Sequence, residues 1–174
     1  MILPASKLIP VAPTLDAYVM DPTPFNWGPL LAPFSPPLPR EGSVILASFF
    51  GDVFVEDRDG GVWWVNGLEE RVDRAALNQE QFLHRLSREY VMMLKTKVME
   101  ALIVNDRLLK TGMIYGLKTP RSAGGKYHPD NFGAAPIADS FAYMGALFKK
   151  KNEAPPLPAA PESKKKSGIW GKKR

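Results

Sequence analysis

Proline is concentrated at the N-terminal end of this chain, and it limits what the first forty residues can form. Ten of the 17 prolines lie in residues 1–40. Proline fixes φ and donates no backbone hydrogen bond, so neither a long helix nor a central strand fits there. The stretch nevertheless carries more apolar side chains, from Leu15 to Phe34, than a disordered linker does. We expect residues 1–42 to form an extended arm over the domain surface, or else a proline-rich ligand for a grooved partner.

Residues 43–148 have the pattern of a small α+β domain. The β-branched and aromatic run over 43–57 predicts one or two strands, and Asp57 to Gly61 predicts a hairpin turn because Asp and Gly suit its backbone. Residues 62–66 form the partner strand, and 67–75 a short further strand. We therefore expect a small antiparallel sheet of three to five strands.

One long helix is expected to pack on this sheet. Asn78 and Gln81 form a capping pair, and apolar side chains then recur at three- and four-residue steps to about Val104, with a break along this helix as an open alternative. Residues 107–118 read as an extended segment closed by Pro120, within a structured C-terminal loop region over 113–144. In residues 137–150 the apolar side chains follow neither the periodicity of a helix nor that of a strand, and we interpret this stretch as a strand followed by a helix.

The C-terminal segment 149–174 differs from the rest in charge. It holds nine basic and two acidic side chains, whereas residues 1–148 hold 14 basic and 16 acidic, a net of −2. We interpret 149–174 as a disordered basic tail, because its charge and proline content cannot offset ordering entropy. It could make a weak nucleic-acid contact by counterion release. The side chains for that contact are Lys164, Lys165, Lys166, Lys172, Lys173 and Arg174.

Several kinds of chemistry are not expected. The chain has no cysteine, which excludes disulfides, thiol catalysis and cysteine-ligated metals. The acidic residues from Asp52 to Asp59 do not match a calcium-binding loop, and no phosphate-binding glycine motif occurs. We predict no metal, no cofactor, no membrane span and a cytoplasmic location. His84 is interpreted as a helix-surface residue, and a hydrolase using His128 and Asp130 is the weaker alternative to a non-enzymatic protein.

Side chains for a protein partner are expected on the hairpin, the tryptophan pair and the glycine-rich loop. Trp63 and Trp64 are adjacent in a strand, so they face opposite sides of the sheet. One belongs to the core, and the other is an exposed anchor unless the sheet is covered on both faces. The predicted partner-binding residues are Asp57, Asp59, Trp63, Trp64, Glu69, Glu70, Tyr127, His128, Asp130 and Asn131.

Two stretches resemble a known bacterial family. The first is FGDVFVEDRDGGVWWVNGLEERVDRAALNQEQFLHRL, and the second is YGLKTPRSAGGKYHPDNF. Their Phe-Gly-Asp strand, Asp-Gly turn, Val-Trp strand and Gly-Gly-x-Tyr segment resemble the C-terminal module of type VI secretion DNase-immunity proteins, which usually follows a GAD-like domain. The resemblance covers about residues 50–148.

This resemblance implies an α+β domain that binds a cognate nuclease-type toxin in the cytoplasm and neutralises it without catalysis. A mildly acidic body could complement the basic surroundings of a nuclease active site. The chain departs from the family in its proline-rich arm, which replaces a GAD-like domain, and in its basic tail. The alternative function is a scaffold or nucleic-acid-associated protein that acts through that tail.

Overall fold

The fold is organised around a five-stranded antiparallel sheet whose strand order follows the chain. The computed structural model describes residues 15–153. Predictions about residues 1–14 and 154–174, including the nucleic-acid contacts, lie outside the described residues. The strands of the sheet are β1 (Val19–Met20), β2 (Gly42–Ser48), β3 (Asp52–Asp57), β4 (Val62–Asn66) and β5 (Arg71–Ala76).

Four helices and a second, two-stranded sheet complete the described fold. The second sheet pairs β6 (Met113–Leu117) with β7 (Phe132–Pro136) in antiparallel register. The helices are α1 (Trp27–Leu31), α2 (Gln79–Met93), α3 (Thr96–Val104) and α4 (Ile137–Glu153). Asn78 caps α2 as predicted, because its side chain accepts the backbone N–H of Gln81 at 2.9 Å. The expected α+β class is therefore confirmed.

Both faces of the five-stranded sheet are buried. On one face α2 packs through Phe82 against Phe54, whose ring stacks on Trp64 with centroids 5.5 Å apart. On the other face α4 and the second sheet close a separate core, in which Phe141 and Phe34 meet edge to face. Double coverage leaves little open sheet surface for a ligand, so binding sites are expected at the sheet ends.

Two local predictions need correction. The predicted helix over 78–104 is two helices, because Lys95 adopts a left-handed conformation with φ of 53° and ends α2 before α3 begins. The C-terminal loop region contains the second sheet, and the strand expected at the start of 137–150 is absent, because this stretch is helical from Ile137 onwards. α4 continues to Glu153, past the expected boundary at residue 148.

The described part of the predicted arm is folded into the domain. Leu15 and Phe34 are 1% and 0% exposed, and β1 pairs with β2 at the edge of the sheet. Short helical turns at Leu15–Ala17, Trp27–Leu31 and Ala32–Phe34 replace the extended path that the prolines suggested. The prolines lie in or beside these turns, so they shorten the helices without preventing burial.

Candidate functional site

The predicted partner-binding residues lie at two opposite ends of β4. Asp57 and Asp59 belong to the turn that precedes β4, whereas Glu69 and Glu70 belong to the turn that follows it. Trp64 is 2% exposed in the core and donates its indole N–H to Asp52 at 3.1 Å. Trp64 is therefore unavailable to a partner, and its selection as a contact residue is corrected.

Asp57 organises its hairpin turn from the inside. One carboxylate oxygen accepts the backbone N–H groups of Asp59 at 3.0 Å and Gly61 at 2.8 Å, and the other accepts the Trp63 indole N–H at 2.8 Å. The hydrogen bond from Trp63 is the main reason that the pKa of Asp57 lies below its usual value. Arg74 stacks over the Trp63 ring at 5.8 Å and adds a favourable charge. Asp57 and Trp63 therefore stabilise the turn together.

We expect Asp57→Asn to destabilise the protein by roughly 1 kcal/mol at neutral pH, because hydrogen bonds to a charged acceptor are replaced by weaker ones. The pKa of Asp57 is lowered in the folded state, so its contribution is fully present above the unfolded-state pKa of about 4. The difference from wild type should shrink as pH falls through the folded pKa. Denaturant unfolding at a series of pH values measures it. The exposed Asp59→Asn is the control, and an equal loss there would contradict this role for Asp57.

The opposite end of the sheet carries a ridge built from two segments. We define the ridge as the turn 67–70 together with the loop 118–131. The Tyr127 hydroxyl donates to the Glu69 carboxylate, and Arg121 lies over the Tyr127 ring at 5.2 Å. Burial and the neighbouring Glu69 carboxylate raise the pKa of Tyr127, so it stays a neutral hydrogen-bond donor. These contacts fix the loop on the turn.

Asn131 clamps the loop internally. Its side-chain amide donates to the carbonyls of Thr119 at 3.0 Å and Lys126 at 3.1 Å, and its oxygen accepts the Thr119 N–H at 2.9 Å. All side-chain hydrogen-bonding groups of Asn131 are thereby engaged within the loop. Asn131 has a structural role that its prediction as a partner contact did not anticipate.

His128 and Asp130 lie together on the exposed side of the loop. His128 Nδ1 is 3.5 Å from the Asp130 carboxylate, which also pairs with Arg107 at 2.7 Å. The Ser122 hydroxyl of the same loop donates to Glu70 at 2.6 Å. His84 is exposed on α2, as predicted. Within residues 15–153, no three His, Asp or Glu side chains gather as metal ligands would, and no helix is long and apolar enough to cross a membrane.

On one side of the ridge lies an open groove, the α2–α3 groove. Its volume is about 320 Å³, and it runs between the β4–β5 turn, the helix break and Tyr127. Met92 is 52% exposed and Val91 37% exposed at the end of α2. The lining residues are Asn66, Glu69, Arg71, Val91, Met92, Lys95, Lys97, Val98 and Tyr127. This groove therefore combines exposed apolar side chains with an aromatic ring and charged edges.

Lys95, which lines the α2–α3 groove, forms a buried ion pair with Asp52. Lys95 and Asp52 are 7% and 0% exposed, with Lys95 Nζ 2.5 Å from the carboxylate. Ser48 also donates to Asp52, at 3.0 Å. The sequence analysis missed this pair. The sequence signal for this pair is a charged residue, Asp52, inside the apolar run from Phe50 to Val55, a residue that the sequence suggests only as a cation ligand.

On the other side of the ridge lies a second groove, the α4 groove. It has a volume of about 340 Å³ between α4, the turn 67–70 and the small residues of the second sheet. Glu70 and Asp139 are its carboxylates, and Glu70 is only 3% exposed. Glu70 and Lys95 are two of the three non-glycine residues with positive φ among residues 15–153. Backbone strain of this kind concentrates at functional sites, and here it flanks both grooves.

Comparisons with known proteins bear on the fold alone. No protein-family model matches the chain, and no curated protein sequence matches it. Among solved structures, the chain is similar to the crystal structure of Atu4351 from Agrobacterium tumefaciens, with a TM-score of 0.54 and 17% sequence identity. The match covers 82% of this chain and 75% of that chain. It supports the α+β architecture described above.

Proposed function

We propose that this protein is a non-catalytic binding domain that holds a single protein partner through the α2–α3 groove and the adjoining ridge. The observation that carries the proposal is the exposure of Met92 and Val91 beside Tyr127 and Arg71 in one groove. Methionine, tyrosine and arginine are enriched in protein–protein interfaces, and apolar residues framed by polar ones are typical of docking sites.

The groove and ridge are held in place before any partner arrives. The Lys95–Asp52 pair fixes the helix break, while contacts of Tyr127 and Arg121 with Glu69 fix the loop against the turn. A rigid surface loses less conformational entropy on binding than a mobile one. This rigidity supports tight binding of one partner rather than weak binding of many.

The partner we propose is a nuclease-type secreted toxin, which the protein binds and neutralises. The family resemblance over residues 50–148 is the source of this assignment. The net charge of −2 in residues 1–148 is compatible with it, because the acidic residues would draw the body towards a basic nuclease. On the proposed binding surface, Glu69 pairs with Arg121 at 3.5 Å and Asp130 with Arg107 at 2.7 Å, so the attraction would come from the net charge of the whole body.

Affinity capture from the native host tests this function. The full-length chain and a chain ending at Glu153, which keeps all of α4, are each used at low and high salt. We expect both chains to retain one protein at high salt. Once separated from the chain, that protein should cleave DNA, and adding the purified chain back should stop the cleavage. Retention of nucleic acid or many acidic proteins, only by the full-length chain at low salt, would instead favour the scaffold role of the tail.

A carboxylate placed in the groove should weaken partner binding. We expect Met92→Asp to raise the dissociation constant by roughly 30-fold, corresponding to about 2 kcal/mol for a buried interface residue. Leu77→Asp is the matched control. Leu77 is 62% exposed and lies between the end of β5 and the start of α2, whereas Met92 lies at the opposite end of α2. Equal affinities for the two variants would show that the partner does not use the α2–α3 groove.

A further inference from the structure

The α4 groove has the chemistry of a site for a basic, proline-containing segment. Its walls are apolar, with Leu147 and Met144 on α4 and the alanines of β7 opposite. Tyr143, also on α4, is 48% exposed and provides an aromatic surface of the kind that proline-rich peptides pack against. Glu70 and Asp139 place carboxylates at the same groove. A ligand with apolar residues followed by cations would satisfy both features.

Two polar groups lie buried at this groove. Glu70 Oε1 accepts the Ser122 hydroxyl at 2.6 Å and the Ser122 backbone N–H at 3.4 Å, and the whole residue is only 3% exposed. The Ser140 hydroxyl is buried and has no hydrogen-bond partner within residues 15–153. A buried carboxylate is stabilised when a cation reaches it, so Glu70 gives a basic ligand a specific position.

We propose that residues 154–174 of the same chain fold back along α4 and occupy the α4 groove. The run Ala-Pro-Pro-Leu-Pro over 154–158 would pack against the α4 wall. The chain would then reverse over residues 159–163, so that the lysines at 164–166 approach Glu70 and Asp139. The segment 154–174 holds six basic side chains and one acidic side chain, and the groove that it would occupy is lined by two carboxylates and one cation, Lys118.

The position at which the segment leaves the fold supports this occupant. α4 ends at Glu153, and Lys151 donates to the backbone carbonyl of Glu69 at 2.9 Å, so the helix end lies against the ridge. Tyr143 is about 15 Å back along the helix, at about 1.5 Å per residue. A polyproline segment rising about 3.1 Å per residue covers that distance in roughly five residues, which places Leu157 and Pro158 beside Tyr143. Covalent attachment supplies a high effective concentration.

Paramagnetic NMR on the full chain tests the proposal. The chain has no cysteine, so Ser163→Cys carries a single nitroxide label. We expect the amide signals of Gly116, Ala134, Tyr143 and Leu147 to weaken several-fold against the reduced label, and to recover at high ionic strength. The reduced spectrum also shows whether the chain remains folded. Broadening centred on the α2–α3 groove, or none at the α4 groove, would overturn the proposal.

Two matched triple variants identify the cations. Lys164, Lys165 and Lys166 changed to alanine should abolish most of the broadening, whereas the same change at Lys172, Lys173 and Arg174 removes equal charge and should preserve it. Equal effects of both variants would contradict a specific contact. Docking between two copies is tested in a mixture of two chains: one carries the nitroxide but no nitrogen-15, and the other carries nitrogen-15 but no nitroxide. Broadening of the same signals in that mixture would overturn docking within one chain.

Discussion

Replacing Lys95 with methionine should reduce the free energy of unfolding by about 4 kcal/mol, because it leaves a buried carboxylate without its cation. Asp52 is 0% exposed, and Lys95 Nζ lies 2.5 Å from it. The loss is large relative to the 5–15 kcal/mol that stabilises a typical domain. Urea unfolding at neutral pH measures it, and the accompanying change at the helix break should also loosen the α2–α3 groove.

The double variant Asp52→Asn, Lys95→Met is the control for this assignment. It removes both charges while keeping a side-chain acceptor for the Trp64 indole N–H. We expect it to be more stable than Lys95→Met alone, with a coupling energy of at least about 1.5 kcal/mol between the two positions. Additive losses would show that the two charges do not stabilise each other.

Gly125→Ala should destabilise the ridge by about 3 kcal/mol, near the upper end of the usual cost of overpacking. A Cβ atom at residue 125 would overlap the backbone carbonyl of Thr119, which cannot rotate away as a side chain could. The Gly125 N–H donates to the Pro120 carbonyl at 2.9 Å, so the clash lies inside a closed turn. Tyr127 follows two residues later, and we expect partner affinity to fall together with stability.

Gly133→Ala is the matched control for this substitution. Gly133 lies in β7 near the same loop, and an added Cβ there would meet Lys118 at an ordinary contact distance of 3.6 Å. Thermal unfolding of the two variants separates a local clash from a general intolerance of alanine. If both variants unfolded at the wild-type temperature, the close packing of the loop against Thr119 would be disproved.

The sequence predicted well those elements whose signals are local. The Asp57–Gly61 turn and the strands beside it follow from turn chemistry and β-branched residues, and the start of α2 follows from its Asn78 cap. The strand β6 lies within the extended segment predicted over 107–118, whereas its partner β7 was missed because Gly133 and the neighbouring alanines lack β-strand propensity. The helix break was only an open alternative, because lysine gives no sequence signal for a left-handed residue.

The candidate sites depend on contacts between distant parts of the chain. Tyr127 and Glu69 are 58 residues apart, and Lys95 and Asp52 are 43 apart. The sequence identified Glu69 and Tyr127 as partner-binding residues from their polarity and loop positions, but it could not show that they touch. The sequence also placed both Trp63 and Trp64 among the partner contacts. The assignment of Trp64 to the core depends on how both faces of the sheet are covered, which the sequence alone does not show.

Hydrogen–deuterium exchange of the full chain, with and without the partner obtained by affinity capture, tests the central claim most directly. We predict that the partner slows exchange in residues 69–71, 91–98 and 121–131, which lie in the ridge and the α2–α3 groove. Exchange in the Asp57–Gly61 turn and around Leu77 should remain unchanged. Protection confined to that opposite end of the sheet, or to residues 154–174, would contradict the proposed binding surface.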